Sequence, residues 1–180
     1  VGIPFTSLGF AGFLSKDIII EAVYARGTEP AMIAFTLLVL SALFTSFYSW
    51  RLIFMTFHGE SRADREIHDA AQESPNVMLV PLYALSAGAV FSGMIWYGSF
   101  VGAGEQAFWG ASIYNLVSET GQTLLEAAHD VPWLVKLAAF LAMLGGLLTA
   151  YIFYIARPQT PHELARRHQP LYRFLLNKWY

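Results

Sequence analysis

Between Ala31 and Trp50, between Val77 and Phe100, and again between Leu137 and Ala156, the chain contains no Asp, Glu, Lys or Arg. A bilayer hydrocarbon core about 30 Å thick takes about 20 apolar helical residues to cross, so each stretch is long enough to span it. A helix that is apolar all round has no face to offer water. Three such runs in one short chain exclude a soluble globular domain and predict an all-α, polytopic transmembrane helix bundle. The 13% of residues that are charged lie between the runs, whereas a water-facing surface would scatter them along the chain.

The punctuation around the runs gives a division of the chain. Residues 1–26 are expected to form a discontinuous transmembrane helix, followed by a span at 30–57, a loop at 58–74, a span at 75–101, a loop at 102–130, a span at 131–156 and a tail at 157–180. Thr28-Glu29-Pro30, Ser74-Pro75 and Asp130-Val131-Pro132 each put a polar capping side chain beside a proline suited to a first helical turn. Pro81 is expected to kink the second span, and Arg157-Pro158 to close the third. The chain starts at Val1 inside an apolar region, without a basic leader, and stops at Tyr180 without a cap, which is the expectation for a fragment with no signal peptide. Having no cysteine, this segment forms no disulfide and no thiolate metal site.

Orientation follows from basic residues in the connections. The 58–74 loop carries Arg62 and Arg65, and the tail carries Arg157, Arg166, Arg167, Arg173 and Lys178, while the 102–130 loop has no Lys or Arg. The first two are therefore expected on the cytoplasmic or matrix side and the third outside. Within the outer loop, Ala111 to His129 has the partial apolar face of an interfacial helix. The tail mixes arginines with Tyr172, Phe174, Trp179 and Tyr180, as at a membrane surface.

The segment Gly9-Phe10-Ala11-Gly12-Phe13-Leu14-Ser15-Lys16-Asp17-Ile18-Ile19-Ile20-Glu21 puts a lysine and an aspartate inside an apolar run. Lys16 is ten residues, or about 15 Å of helix, from Arg26. It belongs near the bilayer midplane if Arg26 marks the outer surface. An ionisable group at that depth costs about 2.5–3.5 kcal/mol on insertion scales and usually faces protein or a hydrated cavity. Gly9, Gly12 and Ser15 weaken the helix there, and broken helices are tolerated only where the freed backbone groups are satisfied. A lysine so placed can load and release a proton, which an arginine cannot. The competing reading leaves Lys16 snorkelling near an interface, with Asp17 as an ordinary cap.

The Gly12-Phe13-Leu14-Ser15-Lys16-Asp17-Ile18 segment, preceded by Gly2-Ile3-Pro4, resembles the SKD segment of the largest antiporter-like subunit (chain L) of respiratory complex I, the proton-translocating NADH:quinone oxidoreductase. The resemblance extends in order through Tyr48-Ser49-Trp50-Arg51-Leu52, Phe57-His58-Gly59-Glu60, Glu73-Ser74-Pro75, Leu125-Glu126-Ala127-Ala128-His129, Pro132 to Lys136, and Asn177-Lys178-Trp179-Tyr180. It implies a proton-translocating membrane subunit whose broken helix carries a terminal proton-exchange lysine, here Lys16 with Asp17 beside it. Pro4 stands farther from Lys16 than in shorter family members. The resemblance further implies no redox cofactor in this chain, flavin and iron–sulfur centres in partner subunits, other membrane subunits of the complex and the lipid bilayer as partners, no nucleic acid, a bacterial or mitochondrial inner membrane, and a tail leading to a lateral helix. The large subunit of an Mrp-type sodium/proton antiporter shares the lysine segment and stays open, as does a structural subunit in which Lys16 is inert.

Other charged positions have plainer readings. Arg51 is read as snorkelling near the inner interface, Lys136 as an interfacial anchor beside Trp133 in preference to part of an outward proton path, and His129 as a solvated turn residue. His162 and His168 are six apart and share no helix face, so a metal site is not expected. Gly145-Gly146 is read as permitting close helix packing.

Overall fold

The computed structural model describes residues 2, 8–59, 64–113 and 123–179. Ile3, Pro4, Arg62, Tyr180 and the 114–122 part of the outer loop lie outside the described residues. Every named element is a helix: α1 (Ala11–Ala25), α2 (Glu29–Phe57), α3 (Arg65–Ala70), α4 (Asn76–Phe100), α5 (Glu105–Trp109), α6 (Leu124–His129), α7 (Trp133–Tyr151), continued by a π-helical turn over Ile152–Ala156, then α8 (Thr160–Arg167) and α9 (Gln169–Leu176). α2, α4 and α7 with its π-turn are long and apolar enough to cross a membrane. This is an all-α membrane helix bundle.

The helix starts differ from those the capping residues suggested. Thr28 is the N-cap of α2 but its side chain makes no capping hydrogen bond, and α4 and α7 begin after Pro75 and Pro132, which occupy the N-cap positions themselves. Proline's fixed φ suits the extended backbone there, and Ser74 and Asp130 fall one and two residues too early to cap. α4 runs on through Pro81. α7 closes through the π-turn, where the Arg157 N–H donates to Ile152 O at 2.7 Å, and Pro158 follows.

α2 and α7 form the main helix pair. Apolar side chains gain little by leaving lipid for each other, so membrane helices associate through close packing of small residues and interhelical hydrogen bonds. On α7 the buried stripe is Val135, Ala139, Ala142, Gly146 and Ala150, at helical spacing. Gly146 is where the backbones meet. A Cβ there would lie 2.6 Å from Leu43 O and 2.8 Å from Phe47 N, while one at Gly145 would meet only Leu43 Cδ1 at 3.7 Å. Of the glycine pair, Gly146 makes the close approach. Beside it Ser46 Oγ donates to Met143 O at 2.6 Å. Farther along, Phe47 meets Phe153 and Tyr154, and Phe54 meets Tyr151. Residue numbers rise together along both helices, so α2 and α7 are parallel. Phe57 and Ala156 therefore end at one end of the bundle.

α1 is about 22 Å long at 15 residues, too short to cross a core of about 30 Å. It runs unbroken through Gly12, Ser15 and Lys16, so neither Gly12 nor Ser15 interrupts it; the chain turns helical only after Phe10, whose backbone is extended. α1 packs on α2, α4, α6 and α7. At Gly93 of α4 a Cβ would come within 2.7 Å of Ala11 Cα, which is what lets α4 approach. α6 starts from a capping box, Thr123 N donating to Glu126 Oε2 at 2.7 Å and Glu126 N to Thr123 Oγ1 at 3.3 Å. Of the expected interfacial helix over Ala111–His129, residues 111–113 form turns, 114–122 lie outside the described residues and 124–129 are α6. That short helix is held by α1, with Ala128 fully buried.

Candidate functional site within the bundle

Asp17 and Glu21 stand four residues apart, which puts both carboxyl groups on one face of α1 with Leu14 and Ile18. That face turns into the bundle: Leu14 and Ile18 are buried, and Glu21 is only 8% exposed. Three other elements close over it. Lys136 of α7 lies within electrostatic range of both carboxyl groups, His129 of α6 within range of Glu21, and Tyr97 of α4 within range of both acids. Among the described residues no direct ion pair joins them. The Lys136 ammonium instead donates to the His129 carbonyl at 2.6 Å. The His129 ring has Nδ1 2.7 Å from Leu125 O, and since a carbonyl can only accept, Nδ1 carries the proton. In the neutral ring Nε2 is then left as an acceptor. Asp17 Oδ1 is buried and meets no hydrogen-bond partner among the described residues.

Lys16 lies on the other side of α1, in an exposed stripe with Gly12, Ser15 and Ile19. One turn of helix thus presents an ammonium to one side and carboxyl groups to the other.

Depth can be read from helix register. α1 runs antiparallel to α2, with the Tyr24 and Phe35 rings 5.2 Å apart. Followed back along α1, that register puts Lys16 about level with Leu43, the middle of α2, and Glu21 about level with Leu38. The parallel α2–α7 register, anchored at Ser46 and Met143, independently puts Lys136 about level with Val39. The two registers agree, as the closeness of Glu21 and Lys136 requires. Taken from α4 instead, Lys16 would fall near Gly98, close to that helix's end; but α4 meets α1 only through its last turns, whereas α2 and α7 pack along their length. α2 and α7 therefore set the membrane frame.

Ionisable groups at this level of an apolar bundle are rare. No family model matches the chain. It is 39% identical to NADH-quinone oxidoreductase subunit L of Rhodobacter capsulatus, over all of this chain and 33% of that protein. It is 37% identical to F(420)H(2) dehydrogenase subunit L of Methanosarcina mazei, over 99% of this chain and 27% of that protein. NADH-ubiquinone oxidoreductase chain 5 of Phytophthora infestans is 34% identical, over all of this chain and 26% of that protein. The chain belongs to the subunit L family. It spans about a quarter to a third of the length of these relatives.

Within this subunit L chain, several positions differ from their sequence reading. Lys136 is no surface anchor: it is half-buried, engaged by His129 O and close to both acids, while Trp133 on the next face is 62% exposed. The deep start of α7 explains it, because one turn into that helix is already level with the middle of the uncharged run in α2. His129 is part-buried at the end of α6, with its ring engaged by Leu125 O. Arg51 holds its guanidinium 5.7 Å from the Tyr154 ring centroid, an exposed cation–π contact toward the C-terminal ends of α2 and α7. His162 sits in α8, and His168 is the turn residue between α8 and α9. Glu21 is the residue that sequence reasoning left without a role. Its four-residue spacing from Asp17 was the available signal.

Proposed function

We propose that this chain is part of a proton-translocating, antiporter-like membrane subunit of a respiratory NADH:quinone oxidoreductase, with Lys16 as the proton-exchanging group and Asp17 tuning it. The observation that carries the reading is the level of Lys16 at the middle of α2, next in sequence to Asp17, in a chain of the subunit L family. An intramembrane charge at that depth is a functional site by default. The exposed stripe bearing Lys16 is the face on which the remainder of a relative-sized subunit would pack.

The relatives are named for both NADH and F(420)H(2) oxidation, so the electron donor is the variable part and the membrane subunit the shared one. On this reading the redox chemistry belongs to partner subunits carrying flavin and iron–sulfur centres, and the chain itself holds no redox cofactor. The neighbours are other membrane subunits of the complex, in a bacterial or mitochondrial inner membrane. The parallel course of α2 and α7 supports the topology with the 58–74 loop and the 157–180 tail on the cytoplasmic or matrix side.

The test is Lys16→Ala in the full-length subunit of the assembled complex, with proton uptake and quinone reduction measured together in reconstituted vesicles. Assembly is checked by native electrophoresis. The expected result is an assembled complex with sharply lowered pumping. Unchanged pumping leaves the structural-subunit reading in its place.

A further inference from the structure

We propose that Glu21 is a proton-carrying residue on the outward leg, receiving the proton from Asp17 one turn earlier and passing it to the α6–α7 corner at His129, with Lys136 as the counter-charge that holds the corner in place.

Four observations carry it. Glu21 is the one buried charged residue among those described, at 8% exposure. It follows Asp17 by one helical turn, about 6 Å along the axis, on the same face. Asp17 Oδ1, buried and without a partner, is an acceptor that a donor must reach, since leaving it unmet costs about 1–3 kcal/mol. The corner beyond Glu21 is a built structure: Lys136 donates to His129 O, His129 Nδ1 donates to Leu125 O, and the Nε2 lone pair remains to accept a proton. The direction is outward because α1 carries Glu21 away from Lys16 toward Arg26 and the end of the bundle where α2 begins.

Each step moves one proton. An O–H bond breaks on Asp17 as one forms on Glu21, leaving Asp17 anionic; the Glu21 O–H then breaks as an N–H bond forms at His129 Nε2, leaving Glu21 anionic and the ring cationic until it releases the proton outward. On the Lys16 reading the proton that recharges Asp17 comes from Lys16, whose N–H bond breaks and which returns to the neutral amine; Lys16 projects from a different face of α1, so this transfer runs around the helix and not within the buried face. One proton enters at Lys16 and one leaves at His129, with no electron transferred. A direct Glu21–Lys136 ion pair would hold the carboxylate fixed, and the structure sends the ammonium to a carbonyl instead.

The inference rests on the Lys16 reading, and the experiment separates the two. Glu21→Gln keeps the shape and removes the ionisable proton; Glu21→Asp keeps the proton one methylene shorter. Both are made in the full-length subunit of the assembled complex beside Lys16→Ala, and protons taken up per quinone reduced are measured in vesicles. Expected are a several-fold loss for Glu21→Gln close to that of Lys16→Ala, and partial retention by Glu21→Asp, with assembly intact in all three. If Glu21→Gln pumps normally while Lys16→Ala does not, the outward role is overturned and the lysine reading stands. Normal pumping by both overturns both. Equal loss in Glu21→Gln and Glu21→Asp also overturns the inference, since a carried proton tolerates the shorter acid better than the amide.

Discussion

Replacing Gly146 with alanine should loosen the α2–α7 pair, and the size of the effect follows from the contacts. The new methyl would begin 2.6 Å from Leu43 O, 2.6 Å from Ser46 Cβ and 2.8 Å from Phe47 N. Ordinary contact begins at 3.4 Å, so α2 must back away by about 0.8 Å. Two of the three atoms are backbone and cannot rotate aside. Overpacking of this kind costs about 1–3 kcal/mol. The Ser46–Met143 hydrogen bond, 2.6 Å long and three residues from Gly146, would be stretched as well; interhelical bonds of this type are worth about 0.6 kcal/mol on average and at most about 1.7. Gly145→Ala is the control, because its methyl would meet only the flexible end of Leu43 at 3.7 Å. It carries the same gain in helix propensity without the clash. The assay is thermal denaturation of the full-length subunit in detergent, wild type against both variants. Gly146→Ala should melt lower than both of the others. Equal melting of the two alanine variants would refute the close-approach argument.

Cysteines introduced at Ala71, Ser112 and Gln159, all exposed, should react with an impermeant thiol reagent from one side of oriented vesicles for Ala71 and Gln159 and from the other for Ser112; labelling of all three from one side would overturn the topology. Thr123→Ala should weaken α6 by about 1 kcal/mol through loss of the capping box, read as faster amide hydrogen exchange over 124–129, and unchanged exchange there would contradict it. Lys136→Met should lower pumping more than Trp133→Leu does, since Lys136 faces the acids and Trp133 faces outward; the reverse order would return Lys136 to an anchoring role.

The three long spans were legible because their signal is local: an uncharged run of sufficient length needs no partner to be recognised. The Gly145-Gly146 pair was legible for the same reason, but only the packing shows that Gly146 and not Gly145 makes the close approach. The chemistry around Lys16 was legible only in part. Lys16 and Asp17 stand out in any apolar segment, but the site is assembled from four helices, and no local pattern announces that Tyr97, His129 and Lys136 come within electrostatic range of Glu21. Lys136 was misread because its depth depends on how far α7 sits below the start of α2, which is a property of their packing register. The α4 and α7 caps were misplaced because proline itself takes the extended N-cap backbone, leaving Ser74 and Asp130 outside.

On the proposed function, Lys16 acts by exchanging a proton and not merely by carrying charge at mid-membrane depth. Lys16→Arg keeps the position and the positive charge but cannot release a proton near neutral pH. The decisive measurement is the number of protons taken up per quinone reduced by assembled complex containing Lys16→Arg in sealed vesicles. A ratio lowered to that of Lys16→Ala is expected; a ratio equal to wild type would contradict proton exchange at Lys16.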